Sequence, residues 1–396
     1  MNIQRISELE RKYALESLDG QFETHNNYRF VTRLEKTFAE KTGTKHAVAF
    51  VNGTATLHTA LEACGVGIGD EVIVPPLTMS STSLAVLMAN AVPVFADVDE
   101  KTFLITAEAI EKKVTEKTKA VIIVSLYGLM PDMDAIMAVA KKYGLVVIED
   151  DAQCFLGTYK GRKAGTIGDM GSFSFQASKH ITSGEGGMVT TDNDDYALQL
   201  RRISGLGYGS ITMKKARITK DDIQDPAYER HLELGWNYRM SDVAGAVALA
   251  QTERMEELVA CRMEAGRILE GAMEGCEWLI PQYTPSECVH AYWAVTARIV
   301  HPKASWYDFR RKFMELGGDG IYAAWKLSYL EPAFRNKSFL GREKLMEGYT
   351  YEEGLCPVAE LLQPQLLQFK TNYWDTAEAE AQAEILKKTI RYFDGI

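Results

Sequence analysis

Cysteine is scarce and scattered. The six in this 396-residue chain, Cys64, Cys154, Cys261, Cys276, Cys288 and Cys356, include no Cys-x-x-Cys pair. That spacing argues against structural zinc and predicts a reduced, cytoplasmic protein. Long apolar runs are also missing, so no segment is expected to span a bilayer as a helix. The first residues, Met1-Asn2-Ile3-Gln4-Arg5, lead straight into charged residues, and no secretory leader is expected. Positive charge is in deficit: 44 Lys and Arg against 54 Asp and Glu give a net charge of −10. A nucleic-acid partner needs a basic face, and an anionic membrane needs one too, so both are disfavoured. A small anionic substrate remains open, because local cations can serve it. No Gly-x-Gly-x-x-Gly follows the first predicted strand, which sets aside a nicotinamide dehydrogenase. Internal repeats and low-complexity segments are absent.

Hydrophobic residues make up 46% and charged residues 25%, ordinary for a chain with a substantial core. The segment up to about Gly20 is charged and helical in pattern. Residues 29–42 carry Phe30, Leu34 and Phe38 on one stripe and predict an amphipathic helix. Apolar strand candidates follow at Ala47–Val51, Glu71–Val74, Pro93–Val98, Ala120–Leu126, Leu145–Glu149, Ser172–Gln176 and Gly187–Thr191. Helical patterns at 54–64, 79–90, 107–114 and 132–143 separate the first five. Uniformly apolar strands alternating with helices predict an α/β fold with a mostly parallel sheet covered on both faces. Residues 208–232 are polar and read as a long excursion or lid. One long helix is predicted over 241–274, then a strand at His290–Val300, a helix at 305–316 and a last helix at 376–393. This predicts an N-terminal arm and large domain over 1–250 and a smaller C-terminal α+β domain over 251–396.

Four segments carry chemistry. In Gly171–Met188 an apolar strand leads to a polar turn with one lysine, then to a glycine-rich turn. Lys179 lies five positions after Ser174, and a lysine beside a hydroxyl suits a covalent amine site next to an anion. The plainer reading is a solvated turn lysine. Asn52-Gly53-Thr54-Ala55 follows a strand and opens a helix, which makes an anion site or, equally, a helix capped by Thr54. Glu149-Asp150-Asp151-Ala152-Gln153 puts three acids at the carboxyl end of a buried strand, where open α/β sheets bind ligands. A metal site is the rival, but no histidine cluster accompanies these acids; one carboxylate facing a protonated ring nitrogen suffices to hold an electron-sink cofactor. Gly235–Asp242 precedes a helix with Ser241 as its predicted N-cap, and Asn237 and Arg239 are candidates for anion contacts. Cys154 lies near these acids and reads as a small buried apolar residue.

Gly-Thr-Ala at 53–55, Glu-Asp-x-x-Gln at 149–153, Ser-Phe-x-x-x-Lys-x-x-x-x-Gly-Glu-Gly-Gly at 174–187 and Asn-Tyr-Arg-Met-Ser at 237–241 stand in one order. Leu126-Tyr127-Gly128 with Asp132-Met133-Asp134 adds to them. From about residue 25 onward the chain resembles the DegT/DnrJ/EryC1/StrS family of pyridoxal-phosphate-dependent sugar aminotransferases. The resemblance implies an aspartate-aminotransferase-like fold, the fold type I of pyridoxal-phosphate transferases. It implies that Lys179 forms the internal Schiff base with the cofactor and moves the proton. It assigns Asp150 to the pyridine nitrogen, Gln153 to the phenolic oxygen, and Gly53, Thr54, Ala55 and Ser174 to the phosphate cup. Asn237 would reach the phosphate of a neighbouring subunit, which implies a homodimer with shared sites. Two positions depart from the family. Met79 stands where an aromatic ring often stacks on the cofactor, and its thioether can still cover that ring. Asp151 replaces a usual small residue, and one more acid beside Asp150 implies an outward-facing or functionally unusual carboxyl.

The activity implied is amino transfer from glutamate or glutamine to a keto-sugar, nucleotide-linked or not, or to a keto-cyclitol, with Lys179 as acid and base and no metal. Asp319–Lys326 sits where the family places substrate-shaping residues, so Tyr322, Trp325 and Lys326 are expected to touch the acceptor. Arg29, Lys214, Lys215, Arg230 and Lys326 are candidate cations for a diphosphate, and the excursion at 208–232 a candidate acceptor-selecting lid. Two alternatives stand beside this reading. A dehydratase of the same family carries a histidine in the lysine's place, and here His180 is only the neighbour of Lys179. A non-catalytic, cofactor-binding regulatory protein would share the fold without exchanging nitrogen.

Overall fold

The structure is a computed structural model that describes residues 1–20, 29–212, 221 and 224–395. Helices α1 (Glu8–Asp19) and α2 (Arg29–Thr42) precede strand β1 (His46–Phe50). Then α3 (Gly53–Ala63), β2 (Glu71–Val74), α4 (Ser81–Met88), β3 (Val92–Phe95), α5 (Ala107–Glu111), β4 (Thr118–Val124), α6 (Met133–Tyr143) and β5 (Val146–Asp150) alternate. A short hairpin of β6 (Thr158–Tyr159) and β7 (Arg162–Lys163) leads to β8 (Met170–Ser174), β9 (Gly187–Thr191) and α7 (Asp194–Ser204).

Seven of these strands form one sheet in the order β1-β9-β8-β5-β4-β2-β3. Only β9 runs against the rest, pairing antiparallel with both β1 and β8. The strands are apolar throughout because both faces are covered. In β4, Ala120, Ile122 and Val124 pack toward the α3 and α4 side, with Leu57, Leu61 and Val86. The alternate residues Val121 and Ile123 pack toward α5 and α6, with Ile110 and Ile136. A third cluster sets Phe30, Leu34 and Phe38 of α2 against Phe173 and Phe175, so the predicted stripe is the buried face.

The predicted helix over 241–274 is two helices, α8 (Asp242–Glu253) and α9 (Met255–Gly271). Arg254 breaks the run at φ −100° and ψ 10°. Its guanidinium bonds Glu10 Oε1 at 2.7 Å and the Gln4 carbonyl at 2.5 Å, so the break fastens the N-terminal arm. A second sheet, in the order β10-β12-β14-β13, contains β10 (Leu279–Pro281), β12 (Ala294–Ile299), β13 (Tyr322–Ala323) and β14 (Leu366–Lys370). Strand β11 (Cys288–Val289) pairs instead with β6. Helices α10 (Trp306–Glu315), α11 (Pro332–Arg335), α12 (Pro357–Leu362) and α13 (Thr376–Asp394) complete the chain. Phe309, Phe313, Leu386 and Phe393 pack the helices on the second sheet. The strand expected over His290–Val300 starts four residues late, because Tyr292 turns the chain at φ 51°.

Candidate active site

The strand ends and helix starts of the main sheet converge on a cavity of about 510 Å³. At one end, α3 begins at Gly53, and Asn52 caps it by accepting the Ala55 amide at 2.8 Å. Asn52 therefore takes the capping role that Thr54 was a candidate for, and Thr54 lines the cavity instead. The close approach of α3 to β8 requires glycine at 53: a Cβ there would stand 2.8 Å from the Cβ of Ser174. Ser174 lines the same end of the cavity. Helix N-terminal amides together with two hydroxyls make an anion cradle.

At the other end lies Asp150, the last residue of β5. Thr82 Oγ1 donates to its Oδ2 at 2.8 Å, and the Ala152 amide donates to Oδ1 at 3.3 Å. Burial raises the Asp150 pKa, while the Thr82 bond and the charge of Lys179 pull the other way. Gln153 accepts the Tyr127 amide on Oε1 at 2.7 Å, which leaves its amide nitrogen as the donor side. Tyr127 holds φ 64°, so a fixed turn presents that amide.

Lys179 projects into the cavity from the turn after β8. Its Nζ stands 5.0 Å from the centre of the Trp293 ring. Burial lowers the amine pKa to about 8, opposed by Asp150 and Glu185 and aided by Arg262. Trp293 stacks on Trp325 with centroids 5.9 Å apart, and Trp325 on Tyr127 at 6.5 Å. Trp293 and Trp325 line the cavity together with Thr78 and Met79, and Met79 is 50% exposed.

Thus Gly53, Thr54, Met79, Asp150, Gln153, Ser174, Lys179 and Trp325 share one cavity. Ala55 contributes its amide to the Asn52 cap, and its side chain is buried. Asn237 is exposed and lines no part of its own chain's cavity. Tyr322 and Lys326 lie outside it. Tyr322 is 63% exposed in the two-residue strand β13, held in register with Gln368, and Lys326 is exposed beside it. Arg29 pairs with Glu16 at 3.3 Å, and Arg230 is exposed. Lys214, Lys215 and much of the expected lid fall outside the described residues. Asp151 does not face outward. It is wholly buried, accepts from Ser125 Oγ at 2.6 Å and has no partner for Oδ2. Burial, then the neighbouring Glu149 charge, pushes its carboxyl well above the usual range. Cys154 is buried, with its thiol 3.3 Å from the Gly128 carbonyl. Thr82, Trp293 and Glu185 belong to the site and were not anticipated. Thr82 lies one turn from Met79 in sequence and Glu185 falls within the Gly-Glu-Gly-Gly turn, whereas Trp293 carries no local signal. Among the described residues no group of three or more His, Cys, Asp or Glu is placed to hold a metal ion. No helix among them is long and apolar enough to cross a membrane.

A flat heteroaromatic carbonyl compound bearing a phosphate fits this arrangement. The cradle at Gly53 would take the anion, Asp150 would pair with a ring nitrogen, and the Lys179 amine would meet the carbonyl. Comparison with known proteins agrees. The chain is 42% identical over 259 residues to GDP-perosamine synthase of Caulobacter vibrioides, and the match spans 65% of each protein. It is 40% identical over 252 residues to L-glutamine:2-deoxy-scyllo-inosose aminotransferase of Streptomyces lividus, spanning 64% of this chain and 58% of that one. An aminotransferase structure from Psychrobacter cryohalolentis superposes with a TM-score of 0.86 at 30% identity, over 98% of both chains. The sequence pattern of the DegT/DnrJ/EryC1/StrS aminotransferase family matches residues 4–373, and the chain belongs to that family.

Proposed function

We propose that this chain is a pyridoxal-phosphate-dependent aminotransferase. It moves nitrogen from glutamate or glutamine to a keto-sugar, nucleotide-linked or free, or to a keto-cyclitol. The observation that carries this reading is the placement of the Lys179 amine and the Asp150 carboxyl in one cavity with the Gly53–Ser174 cradle. The names of the two sequence relatives support a sugar or cyclitol acceptor. Glutamate or glutamine as donor, and a cytoplasmic homodimer with shared sites, complete the proposal.

Each residue then has a task. The α3 amides with the Thr54 and Ser174 hydroxyls bind the phosphate. Asp150 keeps a ring nitrogen protonated by facing it with negative charge, and Thr82 orients the carboxylate. Bound pyridoxal phosphate supplies an electron sink for the negative charge left when the reacting carbon loses its proton. Lys179 Nζ, as the free amine, would remove a proton at that carbon and, as the resulting ammonium, return it to the carbon on the far side of the transferring nitrogen. Its pKa, lowered to about 8 by burial, brings the free amine within reach of neutral pH, with the larger share reached only above pH 8. In the first half the donor leaves as its keto acid; in the second the acceptor carbonyl gains the nitrogen by the same steps reversed. Trp293 and Trp325, which line the cavity, exclude water from one side.

A dehydratase needs histidine at the position of Lys179. His180 does not serve, because it is buried and its Nε2 lies 2.8 Å from the Ala291 carbonyl. The test is visible absorbance with borohydride trapping. A band that bleaches with glutamate or glutamine, returns with a keto-sugar and can be trapped on Lys179 is the expected result. A band indifferent to every amino donor would reject amino transfer, and no band would reject the assignment of Lys179.

A further inference from the structure

Two other arginines that are drawn inward meet carboxylates. Arg254 takes Glu10, and Arg201 takes Glu35. Arg262, in the middle of α9, differs. It is 2% exposed, and no carboxylate lies within ion-pairing distance of it among the described residues. Its guanidinium spends its donors on neutral oxygens. Nε meets Thr371 Oγ1 at 3.1 Å, one terminal nitrogen meets the Ser178 carbonyl at 2.9 Å, and the other meets the Trp293 carbonyl at 2.5 Å. A buried cation without a counter-charge is expensive, so the surrounding structure must hold it in place.

What it touches is the support of the lysine. Ser178 immediately precedes Lys179, and Trp293 carries the ring over which Nζ lies. The Trp293 indole N–H donates to the same Ser178 carbonyl at 3.0 Å, and Thr371 Oγ1 donates to the Tyr292 carbonyl at 2.6 Å. Arg262 thereby joins α9, the start of β12, the end of β14 and the lysine turn. We propose that Arg262 is a positioning residue for the reaction: its fork fixes the Ser178–Lys179 turn against β12, and its unpaired positive charge acts on the Lys179 amine. This rests on the reading of Lys179 as the reacting amine.

The charged groups around that amine come from four elements. Asp150 at the end of β5 and Glu185 before β9 favour the ammonium, and Arg262 on α9 opposes it. Arg5 of the N-terminal arm contacts the turn at the Ala177 and Lys179 carbonyls. Burial lowers the Arg262 pKa to about 9, which leaves the side chain cationic at neutral pH.

The test is competitive acetylation of Lys179 in the full chain freed of any bound cofactor, followed by mass spectrometry from about pH 6 to about pH 10. R262Q keeps hydrogen-bond donors without charge, and R262K keeps the charge with fewer donors. The Lys179 titration should move upward by about half a pH unit or more in R262Q and stay near wild type in R262K. A titration unchanged in R262Q, or moved as far in R262K, overturns the proposal. The wild-type protein gives a check that needs no variant: an amine titrating in the ordinary lysine range overturns it equally. Borohydride trapping reports separately on the role of Lys179, so failure of that role and failure of the Arg262 proposal are told apart.

Discussion

Gly53 and Ser174 pack so closely that any side chain at 53 must displace β8 or α3, with 2.8 Å left between the two Cβ positions. Gly53→Ala should therefore open the cradle while the core stays folded. Overpacking of this kind costs about 1–3 kcal/mol, or roughly fivefold to 150-fold in pyridoxal phosphate affinity. A cofactor titration followed by absorbance checks this, and wild-type affinity would contradict it.

Thr82 donates to Asp150 at 2.8 Å and so favours the charged carboxylate against the burial that opposes it. Thr82→Val should raise the Asp150 pKa further and leave the acid less able to face a ring cation. We expect kcat to fall by about tenfold, the worth of one hydrogen bond to a charged group. Wild-type kcat in this variant would remove Thr82 from the site.

Lys179 gives the cofactor-free protein a pH-dependent stability. Its folded pKa of about 8 lies below the unfolded value near 10.4, so above pH 8 the unfolded chain holds the proton longer. The contribution is present above the unfolded value and lost as pH falls through 8. Lys179→Met should melt higher than wild type at pH 7, with the gain shrinking toward about pH 10. Melting curves that stay parallel across this range would contradict the burial of the charge.

Asn237 supports a test of shared sites. If it serves the partner subunit's phosphate, K179A and N237A should each be inactive or impaired alone. A mixed dimer of the two then holds one site built wholly from unaltered residues; random exchange makes about half the dimers mixed, so mixing should restore about a quarter of the activity, as the shared-site geometry of a twofold dimer requires. No recovery after verified exchange of subunits would place Asn237 outside the shared site.

The residues of this site that could be read in sequence are those tied to a local turn. Gly53, Thr54, Asp150, Gln153, Ser174 and Lys179 lie at or just after the ends of apolar strands, which period and composition mark, while their separate roles came from the family resemblance. The sheet was legible for the same reason: β4 and β5 are too apolar to face water. The second half was harder. The pattern over 241–274 is continuous, and only the pull of Glu10 and Gln4 on Arg254 reveals a break there. Tyr322 and Trp325 differ by three residues, but β13 leaves one outside and sends the other to the cavity wall. Arg262 and Trp293 reach the lysine turn from α9 and β12, so no spacing in the chain announces them. Of the two readings open for Asp151, outward-facing or functionally unusual, the first fails, and its partner Ser125 stands 26 positions away in sequence.

The stack of Tyr127, Trp325 and Trp293 beside Lys179 has an optical consequence. Two of the six tryptophans lie against the cavity, and one of them stands 5.0 Å from the reactive amine. Their emission is therefore a built-in gauge of occupancy, sensitive to any chromophore that seats between the cradle and Asp150. Replacing Trp293 with phenylalanine keeps a ring under the lysine and silences one of the two reporters. Ligand arrival in this protein can thus be timed without attaching a label.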